Sequence, residues 1–154
     1  CLVEINGLPK PVVSCSLSLV GNIAVFTLTP FVKKARENVL EFLLASHPLD
    51  CPVCDQGGEC DLQEMSFEHG APVTRFYNIK NSKSSLLVNP NLDTNMSRCI
   101  VCTKCTRVSF VLGNSSLHVV SRSSNSSIDI FSAANLNRYV LGVVDICPVY
   151  YESL

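Results

Sequence analysis

The sequence predicts an α+β chain: a few short strands, one amphipathic helix, and a loop-rich remainder organised around cysteines. Three observations carry that prediction. Short β-prone runs bounded by turn residues fill positions 1–29. Apolar residues recur at three- and four-residue steps between Phe31 and Ser46. Six of the nine cysteines fall in two dense stretches, 51–60 and 99–105.

The β portion comes first. Leu2-Val3-Glu4-Ile5 reads as a strand, Asn6-Gly7 as a turn, and Pro11-Val12-Val13 as the approach of a second strand to Cys15. Ile23–Leu28 supplies a third. So few strands do not make a stable sheet alone, and the segment reads as the back half of a small β domain.

From Phe31 to Ser46, Val32, Ala35, Val39, Phe42 and Leu43 form one apolar face, with Lys33, Lys34, Arg36, Glu37 and Glu41 mostly off it. Pro48 ends the helix, because the residue before a proline is pushed out of the α region. His47 then stands at the helix exit. It opens the run His47-x3-Cys51-x2-Cys54-x5-Cys60, four soft ligands close enough in sequence to converge on one centre. Gly57-Gly58 inside this run suits a tightly curled loop, since glycine accepts positive φ at little steric cost. Zinc and iron–sulfur clusters are both held by such ligands.

Residues 66–97, rich in Asn and Ser and broken by Pro72 and Pro90, read as a connector with a short strand or two. Next, Cys99-x2-Cys102-x2-Cys105 places three thiols on one tight loop, the opening of a ferredoxin-type ligand run. The local fourth cysteine of that run is replaced by Ser109, which leaves Cys147, in Cys147-Pro148, as the downstream candidate. Arg98, Lys104 and Arg107 either offset thiolate charge or are solvated surface groups. Leu117–Val120 and Ser127–Ile130 read as strands around a loose serine-rich loop, and a helical piece at about 132–140 returns the chain to Cys147. His69 and His118 stand alone and carry no assigned chemistry.

Cysteine arithmetic then sorts the donors. His47, Cys51, Cys54 and Cys60 fill one site of four; Cys99, Cys102, Cys105 and Cys147 fill a second. Cys1 and Cys15 remain, half of a [2Fe-2S] ligand set whose other half lies upstream. A disulfide scaffold would prefer an even count in a secreted chain. The net charge of −1 gives no general case for nucleic acid as a partner, and no apolar run approaches the roughly 18 residues of a membrane span.

These residues carry a family resemblance. HPLDCPVCDQGGECDLQ, from His47 to Gln63, resembles the signature of the large iron–sulfur (75 kDa) subunits of respiratory complex I. RCIVCTKCTR (Arg98–Arg107) and DICPV (Asp145–Val149) resemble the next cluster motif of that family, and CLVEI with Cys15 resembles the second half of its ferredoxin domain. The resemblance implies a partial β-grasp [2Fe-2S] domain over 1–29 and a one-histidine, three-cysteine [4Fe-4S] domain over 30–70. Over 71–154 it implies a connector and a four-cysteine [4Fe-4S] domain.

It further implies an electron-transfer subunit working with a flavin-bearing NADH-binding subunit at the matrix side of the mitochondrial inner membrane. The alternative location is the cytoplasmic face of a bacterial membrane. Two expectations concern regions that the family has and this sequence does not: an upstream segment with two more thiolates, and a separate polypeptide docked near residues 140–154. Tyr150-Tyr151 also replaces the Gly-Ala usual after Cys-Pro-Val in that family. The rival readings are a diaphorase or hydrogenase iron–sulfur segment and a zinc-binding structural module.

Overall fold

The structure is a computed structural model. It describes every residue except 78, 81, 84, 85, 90, 91, 114, 115, 132–141, 143, 144, 150, 151 and 154; at 86–89, 92–94, 124, 152 and 153 it describes the backbone only. Two compact units interleave along the chain: Cys1–Ala45 with Met65–Tyr77, and Ser46–Glu64 with Asn78–Leu154.

In the first unit, β1 (Leu2–Ile5) is the middle strand of an antiparallel sheet, flanked by β2 (Val12–Val13) and β3 (Val25–Phe26). The register sets Leu2 against Val13 and Ile5 against Val25. Val3 and Ile5 are buried while Leu2 and Glu4 are less so, the period-2 alternation of a strand with one covered face. Helix α1 (Pro30–Ser46) begins with Pro at its first position, where the missing N–H costs nothing. Thr29 caps it, its hydroxyl accepting from the Val32 N–H at 3.3 Å while donating to Glu4 of β1. One turn later the Arg36 guanidinium donates to the Leu2 carbonyl through Nε (3.2 Å) and Nη2 (3.0 Å). Strand and helix are thus tied by polar contacts beside a buried Val32. Arg75 forks onto Glu41 at 2.7 and 2.8 Å and draws that carboxyl below its usual range.

The second unit holds both dense cysteine stretches. Helix α2 (Asp61–His69) starts directly after Cys60, with Asp61 and Glu64 favourably placed in its first turn. It runs across part of the predicted connector and leaves this unit at Glu64. Strands β4 (Leu86–Asn89) and β5 (Leu92–Thr94) pair antiparallel, and β8 (Glu152–Ser153) joins β5. Strands β6 (Leu117–Val120) and β7 (Ser127–Ile130) form a hairpin in the predicted positions, with Leu117 opposite Ile130 and both Leu117 and Ile128 buried. The loop between them contains a 3-10 turn at Ser123–Asn125. The helical piece predicted at about 132–140 lies outside the described residues. Among the described residues no helix is long and apolar enough to cross a membrane.

Candidate iron–sulfur sites

His47, Cys51, Cys54 and Cys60 line one cavity, together with Asp50, Gly57, Gln63, Arg98 and Val149. Local backbone geometry produces this. After His47 and Pro48 the chain makes a 3-10 turn at Cys51–Val53, closed by Val53 N–H to Asp50 O (2.9 Å) and Cys54 N–H to Cys51 O (3.4 Å). Gly57 N–H then returns to Cys54 O at 2.9 Å. The two glycines are needed for different reasons. Gly58 sits at φ +93°, whereas a Cβ on Gly57 would stand 2.7 Å from the Cys51 carbonyl oxygen and 3.0 Å from that of Cys54. The Gln63 amide oxygen accepts from Gly58 N–H (2.9 Å), so the first turn of α2 clamps the loop. Burial holds His47 below its ordinary pKa and Lys80 and Arg98 add to this, against Asp50; the ring is kept neutral, the form that ligates metal.

Cys99, Cys102, Cys105 and Cys147 line a second cavity with Asn95, Met96, Ile128, Lys104 and Val149. The three clustered cysteines are not all on one loop, as the spacing suggested. Helix α3 (Lys104–Val111) begins between them, so Cys105 lies in its first turn. Val101 (φ 52°) and Thr103 (φ 63°) occupy the left-handed region, unfavourable for β-branched residues by about 1–2 kcal/mol each. The cysteines alternate with these reversals. Val101 N–H donates to the Cys99 sulfur at 3.4 Å. Ser109, which stands where a local fourth cysteine would be, is 1% exposed inside α3 and is not among the residues lining this cavity. Cys147 is.

The two cavities share a wall. Val149, 4% exposed, lines both, and the consecutive residues Arg98 and Cys99 line one each. The Cys60 thiol points to the Pro148 carbonyl at 3.7 Å, next in sequence to Cys147. Each quartet lines one cavity, and the chemistry of both, soft sulfur with at most one imidazole, fits an iron–sulfur cluster.

Burial pushes the Cys105 thiol up to about 11, helped by Cys99 and Cys102, and raises Cys99 as well. A raised thiol pKa means that the fold binds its proton more tightly than the unfolded chain does. The metal-free chain should therefore keep this contribution below about pH 9 and lose it as the pH rises through about 11. Anaerobic denaturation of the stripped chain across that range measures it; Cys105→Ala should flatten the decline, and a wild-type curve that stays level would contradict the assignment.

The remaining two cysteines lie in the first unit. Ser14 N–H donates to Cys1 O at 2.9 Å, which extends the β1–β2 register by one pair and brings Cys1 and Cys15 to the same open end of the hairpin. Both are exposed and neither is in a disulfide.

Sequence reasoning gave Arg98 only as a possible charge partner and gave no role to Asp50, Gln63 or Val149. Adjacency to Cys51 and Cys99 was the available signal for Asp50 and Arg98. Nothing in the sequence marks Val149 as common to both cavities.

Known proteins resemble this chain over both cysteine stretches. Residues 36–75 match the family described as the NADH-ubiquinone oxidoreductase-G iron–sulfur binding region. Residues 89–150 match the NADH-quinone oxidoreductase subunit 3 ferredoxin-like domain. A NADH-ubiquinone oxidoreductase 75 kDa subunit from Reclinomonas americana is 46% identical over 151 residues, covering 97% of this chain and 22% of that protein. Over nearly its whole length, the chain is similar to an iron–sulfur part of these subunits. A mitochondrial NADH dehydrogenase [ubiquinone] iron–sulfur protein 1 from Solanum tuberosum is also 46% identical, over 97% of this chain and 20% of its own length. The chain thus spans about a fifth of the length of these relatives. Among solved structures, a crystal structure of an NAD+-reducing [NiFe]-hydrogenase in the H2-reduced state superposes with a TM-score of 0.87 at 28% identity. That match covers 99% of this chain and 67% of the hydrogenase chain.

Proposed function

We propose that the chain is an electron-relay segment of a NADH:quinone oxidoreductase of the complex I type. The observation that carries this is the pair of four-donor cavities meeting at Val149. In this reading His47, Cys51, Cys54 and Cys60 hold one [4Fe-4S] cluster, and Cys99, Cys102, Cys105 and Cys147 a second. Cys1 and Cys15 give two ligands to a [2Fe-2S] cluster whose other two thiolates come from outside these residues, in a partial β-grasp sheet. When bound, such clusters supply one-electron redox chemistry.

The chain's own residues do the rest. The cysteines give up their protons on binding, and the Cys60 thiol then loses its bond to Pro148. Val101 N–H offers a hydrogen bond to sulfur, and Met96, Ile128 and Val149 keep the second cavity apolar. No side chain needs to act as acid, base or nucleophile. By ligand set, the domains are 1–29, 30–70 and 71–154, a division that follows chemistry rather than the two compact units. The partner in this reading is a flavin-bearing NADH-binding subunit. The location is the matrix side of the mitochondrial inner membrane, with the cytoplasmic face of a bacterial membrane as the alternative. A diaphorase or hydrogenase segment is the second reading, favoured by the superposition with the hydrogenase chain; the lower identity there ranks it behind the first.

EPR-monitored redox titration of His47→Cys tests the assignment. Thiolate in place of neutral imidazole adds negative charge, so the midpoint of that centre should fall, the same sense by which Rieske centres with histidine sit higher. An unchanged spectrum and midpoint would remove His47 from the ligand set.

A further inference from the structure

The cavity of His47 contains a charge that ligand counting does not use. Arg98 lines it with its side chain 11% exposed, and Nε lies 3.4 Å from Asp50 Oδ2, whose side chain is 39% exposed. The two halves of this pair are therefore not equivalent. Guanidinium stays protonated at any working pH. Its field acts through the poorly polarisable interior, whereas water screens much of the carboxylate's. The second cavity has Lys104 on its lining but no buried guanidinium among the described residues.

We propose that Arg98, held by Asp50, sets the redox potential of the centre bound by His47, Cys51, Cys54 and Cys60. Reduction adds one negative charge to whatever centre these four hold. A fixed buried cation stabilises the reduced form more than the oxidised one and so raises the potential. Asp50 works in the opposite direction, and its second task is to keep the guanidinium in place. The inference rests on the reading that this quartet binds an iron–sulfur cluster.

Redox titration followed by EPR in the assembled native complex tests it, with Arg98→Gln, Arg98→Lys and Asp50→Asn beside wild type. Arg98→Gln should move the midpoint of the His47-dependent signal to lower potential and leave that of the four-cysteine centre nearly in place. Arg98→Lys, which keeps the charge, should recover most of the shift. Asp50→Asn should move the same midpoint upward. An unchanged midpoint in Arg98→Gln, or shifts of the same sign in Arg98→Gln and Asp50→Asn, would overturn the proposal. If Arg98→Gln fails to assemble, Asp50→Asn decides by its sign. A wild-type complex with no His47-dependent signal and no iron at that site would instead sink the underlying reading, and the proposal with it.

Discussion

Replacing Cys147 is expected to remove one four-iron centre completely and leave the other standing. Cys147 lines the same cavity as Cys99, Cys102 and Cys105, and Ser109, the position from which a local ligand would have come, is buried in α3 away from that lining. Among the described residues lining that cavity, there is no further cysteine or histidine. Cys147→Ser leaves a poor, hard oxygen, and Cys147→Ala leaves nothing. Each variant should lose about half of the iron bound by the two quartets, with Cys147→Ala the more complete. The His47-dependent EPR signal should keep its intensity. Full intensity of both signals in Cys147→Ala would mean that the fourth ligand lies elsewhere.

The second large effect is expected at Gly57. An added methyl would meet two backbone carbonyls, those of Cys51 and Cys54, at 2.7 and 3.0 Å, and neither can swing aside as a flexible side chain would. Gly57→Ala should therefore force the cysteine loop open. The cost is about 1–3 kcal/mol by analogy with overpacked sites, together with loss of the His47-side centre. Gly58→Ala is the control. It meets open space and suffers only from φ +93°, so its destabilisation should be smaller and the centre should persist. Iron content and denaturation midpoints of the two variants make the comparison. A Gly57→Ala protein with a wild-type signal would show that the loop is held less tightly than its hydrogen bonds indicate.

What could be read in advance depended on how local its cause was. Helix α1 and the β6–β7 hairpin announce themselves by period and turn chemistry, and the structure places them within a residue of those expectations. The grouping of these residues around two cavities was also legible, even though Cys147 joins its set from more than forty residues away, because it is the one cysteine downstream of Cys105. Helices α2 and α3 were not. In α2, Met65 and Phe67 are exposed, so the apolar residues trace no clear face, and the acidic first turn at Asp61 and Glu64 was the sole hint. Helix α3 has eight residues and follows a backbone reversal at Thr103 that a β-branched residue disfavours. Tertiary geometry imposes that reversal against local preference. The burial of Arg98 has the same character, since a sequence shows a charge but not the water around it.

The account turns on what the two quartets bind, and elemental analysis tests this most directly. Iron, acid-labile sulfide and zinc should be measured on anaerobically prepared protein, with Cys147→Ala and His47→Ala alongside. The two sites together predict about eight irons and eight sulfides per chain, a brown visible absorption, and separate losses of about four irons in each variant. Stoichiometric zinc without sulfide in a colourless protein would contradict the account and return these cysteines to a structural role.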